Sequence, residues 1–158
     1  MKAATIRDLK AELKHRDEDE LMELCLRLAK FKKDNKELLT YLLFEAENEW
    51  LYIEGVKKDI EEMFGEINHT SFYLVKKGIR KVLRHVKKCI RYSGKKETEV
   101  ELLFYFCLQV KELGGYLKRS TILQRLYFRQ VQMINKAIDK LHEDLQFDFQ
   151  QRMGELAL

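Results

Sequence analysis

The sequence predicts an all-α protein, and three observations carry this prediction. The 158 residues include no Pro and only seven Gly, so the turn residues that hairpins and sandwiches need are scarce. Leu, Lys, Glu and Arg, which favour helices, are abundant, and apolar residues recur three and four positions apart. Apolar residues make up 46% and charged residues 35%, which is enough apolar content to bury a core. We therefore expect a single all-helical domain over residues 1–158.

Two short helices are predicted at the start of the chain. Thr5 is an expected N-cap for the first helix, which ends near His15. Asp17 and Glu20 form a capping box for the second, and its acidic first turn suits the positive end of the helix dipole. The apolar stripe of this second helix comprises Leu21, Leu24, Cys25, Leu28 and Phe31. We expect the stripe to face the core.

Further helices follow from similar start and stop signals. A capping box at Asp34 and Glu37 predicts a helix whose apolar pattern continues to Ile67, with a kink around residues 47–49. The next helix is expected over residues 71–92, followed by a turn at residues 93–96.

The C-terminal part is predicted to hold one more ordinary helix and one long helix. Thr98 and Glu101 form a third capping box, and the helix that they open ends at Gly114 and Gly115. No Gly or Pro interrupts the chain from residue 116 to residue 153, so we expect one helix over about residues 117–152, roughly 45 Å long.

A shift of 64 residues superposes part of the sequence on itself. Cys25 falls on Cys89, the segment 37–39 falls on 101–103, and seven of twenty positions match. Chance similarity between two Leu-rich segments is the competing explanation. The match indicates two duplicated multi-helix units, about 5–68 and 69–130, stacked as a short α-solenoid-like superhelix with the long C-terminal helix appended.

The three cysteines and the absence of targeting signals indicate a reducing location. Cys25, Cys89 and Cys107 are odd in number, far apart and set among apolar residues, which suits reduced core thiols better than disulfides. The N-terminus lacks the apolar segment of a signal peptide, and no apolar run is long enough to span a bilayer. We expect a cytoplasmic protein with no membrane association.

Positive charge is concentrated in one segment. Residues 67–96 carry ten Lys or Arg and no Asp or Glu. On a helical wheel, one arc of residues 75–91 is apolar and comprises Val75, Ile79, Val82, Leu83, Val86, Cys89 and Ile90. The opposite arc is cationic; its candidate partner-binding residues are Lys77, Arg80, Lys81, Arg84, Lys87, Lys88 and Arg91, with Lys76 at its edge. We call these eight cations the basic face.

Three explanations of the basic face remain open at this point. Acidic residues elsewhere in the fold, such as those at 45–49 or 59–62, can neutralise it. The face can bind the phosphate backbone of RNA or DNA without reading its sequence. An acidic protein partner is the third explanation.

Three aromatic residues form a second candidate binding site. Trp50 stands among acidic residues, and Tyr52 and Tyr116 are equivalent under the 64-residue shift. They are either anchors buried between helices or the lining of an aromatic groove that receives a partner.

The sequence predicts no catalytic residue, metal site or cofactor. Three acid–His pairs have the Glu-x-x-His spacing of helix-bundle metal sites; they are Glu12/His15, Glu66/His69 and Asp139/His142. The first two point away from the predicted core, and the third alone supplies too few ligands. No phosphate-binding glycine loop, nucleophile elbow or Cys-x-x-Cys motif is present.

Two segments, Leu24–Lys33 and Lys95–Leu103, resemble a family of short all-helical proteins of Bacteroidetes-type bacteria to which no function is attached. The resemblance covers about a third of the chain and implies a bacterial cytosolic origin, but no site residue. We interpret the chain as a non-enzymatic interaction or scaffold module that binds a partner through its basic face and aromatic groove. The alternative is a sequence-nonspecific RNA- or DNA-binding protein, and the sequence leaves homo-oligomerisation open.

Overall fold

The computed structural model describes residues 2–158, and this part of the chain is all-helical. It is 82% helix, contains no strand, and confirms the predicted fold class. The helices of residues 2–158 are α1 (Ile6–Leu13), α2 (Glu18–Phe31), α3 (Lys33–Thr40), α4 (Glu49–Gly65), α5 (Phe72–Ser93), α6 (Lys96–Glu112), α7 (Gly114–Arg119), α8 (Thr121–Ile138) and α9 (Glu143–Arg152). A π-helical turn, Tyr41–Glu45, follows α3, and a 3₁₀ turn, Met153–Leu156, follows α9.

The chain forms two compact units, which meet in sequence between Phe44 and Glu45. The N-terminal unit contains α1 to α3, and the C-terminal unit contains α4 to α9. The boundary between the predicted repeat units, near residues 68 and 69, differs from this division. The duplication and its solenoid-like stacking stay a prediction.

In the N-terminal unit α1 and α2 have capping boxes, but residues 2–44 form no buried core. Both predicted N-caps are confirmed: Thr5 forms a capping box with Asp8, and Asp17 forms one with Glu20. Of residues 2–44, only Tyr41 is buried. Cys25 is exposed, so the prediction that it lies in the core is wrong. Helical periodicity identified the apolar side of α2 but could not show whether another element covers it.

The chain kinks where the sequence predicted. Helix α3 passes into the π-helical turn, and α4 begins at Glu49 after Asn48, whose side chain accepts a hydrogen bond from the Leu51 N–H at 3.2 Å. The capping box at Asp34 and Glu37 is wrong, because α3 begins at Lys33 and its N-cap position makes no side-chain hydrogen bond.

Helix α6 is the centre of the C-terminal unit. It packs against α4, α5 and α8, which lie around it. At 100° per residue its buried side chains span an arc of about 240°, and they are Thr98, Val100, Leu102, Leu103, Phe104, Phe106, Cys107 and Val110. So wide a buried arc needs more than one neighbour, and the other helices of this unit are arranged around α6.

The predicted capping box at Thr98 and the predicted long C-terminal helix are both wrong. In each case a polar side chain forms a hydrogen bond that the sequence pattern did not predict. Helix α6 begins at Lys96, before the expected capping box, and the Thr98 hydroxyl donates to Glu49 on α4 instead. The long helix over about 117–152 is interrupted twice. Ser120 caps α8 and His142 caps α9, so polar side chains end and restart helices where no Gly or Pro stands.

Gly78 and Gly55 differ in what surrounds them, and this yields a matched pair of substitutions. A Cβ at Gly78 would lie 2.8 Å from Cγ1 of the buried Ile67, whereas a Cβ at Gly55 has no such neighbour within 4 Å. We expect Gly55→Ala to raise the free energy of unfolding by about 0.5–1 kcal/mol through helix propensity. Gly78→Ala should lower it by about 1 kcal/mol, because overpacking outweighs that gain. Urea unfolding of both variants measures the difference; equal stabilisation by both would contradict the close packing of Ile67 on α5.

Burial of Cys107 predicts a loss of stability at alkaline pH. Desolvation raises the pKa of this thiol from 9.0 to about 12. Between these values the unfolded chain has released the proton and the folded chain has kept it, so stability falls as pH rises from about 9 towards 12. The expected contribution is up to about 1.4 kcal/mol per pH unit. Cys107→Ala should flatten the decline of the unfolding free energy measured in urea between pH 8 and 10.5, relative to Cys25→Ala, which changes an exposed thiol.

Candidate basic interaction surface

Helix α5 is one unbroken helix, as the sequence predicted. Ser71 caps its start by accepting a hydrogen bond from the Leu74 N–H at 3.3 Å. Gly94 ends it in the left-handed conformation, with φ of +68°, and donates its N–H to the Ile90 carbonyl oxygen at 2.9 Å. The residues that face the core are Val75, Ile79, Val82, Leu83, Val86 and Cys89, while Ile90 is half-buried.

The basic face projects from the opposite side of α5. Its exposed members are Lys77, Arg80, Lys81, Arg84 and Arg91, and its half-buried members are Lys76, Lys87 and Lys88. Every exposed residue between positions 76 and 91 is therefore Lys or Arg. The Lys88 Nζ lies 6.0 Å from the centre of the Tyr92 ring. The burial of the apolar arc and the exposure of five cations agree with the helical wheel, whereas three cations predicted to face outward are half-buried.

Most of the basic face forms no ion pair within residues 2–158. The cations without such a pair are Lys76, Lys77, Arg80, Lys81, Arg84, Lys87 and Arg91. Three of the acidic residues that could have neutralised them bind other groups. Asp59 Oδ2 lies 3.2 Å from His85 Nε2, Glu61 accepts from the Tyr105 hydroxyl, and Glu49 pairs with Lys95.

Helix α8 adds one cation, Arg129, beside the basic face, and this feature was missed in the sequence. Residues 113–138 hold five Lys or Arg and no Asp or Glu. Arg129 of this segment lies close enough to Lys87 to affect its titration. Burial, and then repulsion from Arg129, lower the pKa of Lys87, while attraction to Glu99 opposes them. The absence of acidic residues from positions 113–138 is visible in the sequence, but the position of Arg129 beside α5 is not.

A shallow cleft lies at the C-terminal end of the basic face. It has a volume of about 330 Å³, and its lining comprises Lys87, Ile90, Arg91, Gly94, Lys95, Lys96, Glu99 and Met133. Glu99 forms an ion pair with Lys96. Four cations and one acid therefore surround an opening that α5, the start of α6, and α8 form together.

Glu49 holds the turn that shapes this cleft. Its carboxylate accepts hydrogen bonds from the Ser93 and Thr98 hydroxyls and lies 2.9 Å from Lys95 Nζ. Thr98 is fully buried, so this carboxylate is a hydrogen-bond partner that water cannot replace. One residue near the start of α4 thus fixes both sides of the α5–α6 turn.

The structure does not bring the three aromatic candidates together. Trp50 is 67% exposed, whereas Tyr52 is buried and its hydroxyl donates to the Cys89 carbonyl oxygen at 2.9 Å. Tyr116 packs edge-on against Phe72, with ring centres 5.0 Å apart. Phe72 and Cys89 are 17 residues apart on α5, so the contacts of the two tyrosines are about 25 Å apart along that helix. Tyr52 is a packing anchor and does not line an open groove.

Within residues 2–158, no three His, Cys, Asp or Glu side chains converge in a way that could hold a metal ion. His85 is the histidine with an acidic partner on another helix, Asp59, and its ring also lies 3.7 Å from the Cys89 sulfur. This arrangement links α5 to α4 beside the basic face.

The role of Glu49 predicts a large effect of its removal. Glu49→Ala should lower the free energy of unfolding by about 2–4 kcal/mol, because the buried Thr98 hydroxyl loses its acceptor and Lys95 loses its ion pair. Glu47→Ala is the matched control, since Glu47 is exposed on the segment just before α4. Equal unfolding midpoints for the two variants in urea would show that the turn is held by other contacts.

Comparisons with known proteins give no information on the basic face. No family model, curated protein or solved structure matches this chain. In residues 2–158, no helix has both the length and the apolar character needed to cross a membrane. The resemblance to a bacterial helical family stays a prediction.

Proposed function

We propose that this protein is a non-enzymatic binding module whose basic face holds a nucleic acid by its phosphate backbone. One observation carries the proposal: seven cations of one continuous helix surface form no ion pair with any of residues 2–158, and no acidic residue lies between positions 67 and 96. Like charges three and four residues apart destabilise a helix by a few tenths of a kcal/mol per pair. A bound polyanion relieves that repulsion and releases its own counter-ions.

The composition of the face supports a nucleic acid over an acidic protein. Protein interfaces have an apolar centre with a polar rim. Here the exposed positions from Lys77 to Arg91 hold cations alone. These positions span about 21 Å of helix, which corresponds to about six base pairs of duplex.

The same composition supports binding that does not depend on base sequence. Long flexible cations contact phosphates, whereas base recognition needs planar pairs placed in a groove or aromatic rings that stack on bases. The aromatic residues Tyr52 and Tyr116 make packing contacts away from the outward side of α5. Arg129 of α8 widens the cationic surface beside Lys87.

Salt-dependent binding tests this proposal. Affinity for random-sequence duplex and single-stranded oligonucleotides is measured by fluorescence anisotropy across salt concentrations. With about five phosphate contacts, we expect a slope of log K against log salt of about −4 to −5 for duplex. Arg80→Glu/Arg84→Glu should flatten this slope by about 2 and weaken unrelated sequences alike.

A matched control separates position from net charge. Lys58→Glu/Lys140→Glu makes the same change in net charge at two exposed positions outside the basic face. It should leave the slope near the wild-type value. Equal loss in both double variants, or no binding by the wild type at physiological salt, would refute nucleic-acid binding. In the second case an acidic protein becomes the favoured partner.

A further inference from the structure

The N-terminal unit exposes more apolar surface than a helical hairpin of its size accounts for. In α2, Leu24, Leu28 and Phe31 are 41%, 61% and 75% exposed. On α1, Ile6, Leu9 and Leu13 are exposed as well. Large exposed apolar patches mark interaction surfaces.

The distribution of apolar residues around α2 shows that one neighbouring helix is not enough. At 100° per residue, apolar side chains from Phe31 round to Leu26 occupy an arc of about 220°, where a surface helix needs little more than 100°. Within this unit α2 packs chiefly against α3, with Asn35 Nδ2 donating to the Leu28 carbonyl oxygen at 2.8 Å. A large part of the arc is left for another partner.

The charges along α2 identify that partner as a second copy of the same helix. The acidic residues are Asp17, Glu18, Asp19, Glu20 and Glu23, and the basic residues are Arg27, Lys30 and Lys32, which is the C-cap. The first set is centred near residue 19 and the second near residue 30, so the midpoint between them is near Cys25. Such a helix is complementary to itself only when the two copies run in opposite directions.

The apolar residues select nearly the same centre. An antiparallel register that pairs Leu21 with Phe31 of the second copy also pairs Leu24 with Leu28. The two-fold axis then passes near residue 26, within one residue of the charge midpoint. The opposed helix dipoles add to the attraction.

We propose that the N-terminal unit is a homodimerisation element in which α2 packs antiparallel against α2 of a second copy, with the two-fold axis near residues 25–26. The interface is isologous, so it closes as a dimer and leaves no free complementary face. The proposal does not rest on nucleic-acid binding, and its test uses protein alone.

Sedimentation equilibrium tests the interface through exposed residues that the monomer fold does not need. Leu28→Asp should weaken the dimer by about 100-fold. In each copy, a Leu that the proposed interface covers is replaced by a charged residue. Ile122→Asp is the matched control, since Ile122 is exposed on α8 and lies outside α2. It should leave the dissociation constant unchanged.

Charge reversal tests the direction of packing. Arg27→Glu/Lys32→Glu makes the charges beside the apolar stripe acidic at both ends of α2, and Glu18→Lys/Glu20→Lys makes them basic at both ends. Each variant alone should dimerise at least 10-fold more weakly than the wild type, and a mixture of the two should form heterodimers. Parallel packing predicts little change for either variant alone, because each reversal only replaces one pair of like charges with another.

Cys25 reports the position of the axis. In the proposed register the two Cys25 residues are about 3 Å apart along the helix axis. A short bis-maleimide should therefore link two wild-type chains and should fail with Cys25→Ser, since Cys89 and Cys107 are buried. A wild-type protein that stays monomeric at the highest concentration it reaches would overturn the proposal. So would a dimer that is insensitive to Leu28→Asp and unlinked at Cys25.

Discussion

The enclosure of α6 is the constraint on which the C-terminal unit depends. Its buried side chains, from Thr98 to Val110, span most of its circumference, so α4, α5 and α8 each present an apolar face to it. Each of those helices then has one buried side and one side turned to solvent. The arrangement of charge in this unit follows from that division.

Acidic and basic residues of the C-terminal unit have different surroundings. The carboxylates of α4 and α6 bind neighbouring elements: Glu49 holds the α5–α6 turn, and Glu101 lies 2.9 Å from Arg152 and 3.4 Å from Lys57. The cations of α5 point outward from its buried side and, apart from Lys88, form no ion pair within residues 2–158. In this unit, acids such as Glu49 and Glu101 join neighbouring elements, whereas the exposed cations of α5 face solvent.

The periodicity of apolar residues predicted the features that depend on a single helix. It did not predict the features that depend on contacts between helices. The span of α5, its buried side and its outward cations all follow from spacing and were predictable. The exposure of Cys25 was not predictable, because the apolar residues of α2 have the same helical spacing as the buried residues of α5. Thr98 was expected to cap α6, but its hydroxyl reaches Glu49, which is 49 positions away in sequence. No local pattern encodes such a distant partner, and the same limit hid the position of Arg129 beside Lys87.

The two units are stabilised by different kinds of interaction, and this difference bears on the N-terminal helices. The capping boxes of Thr5 and Asp17 contribute about 1 kcal/mol each. Isolated helices shorter than about 12–15 residues are marginal in water, and α1 and α3 have eight residues each. Caps alone therefore do not account for a persistent three-helix unit without a buried core. Burial of the exposed α2 stripe against a second copy supplies the missing apolar contact at the place where the helix charges are self-complementary.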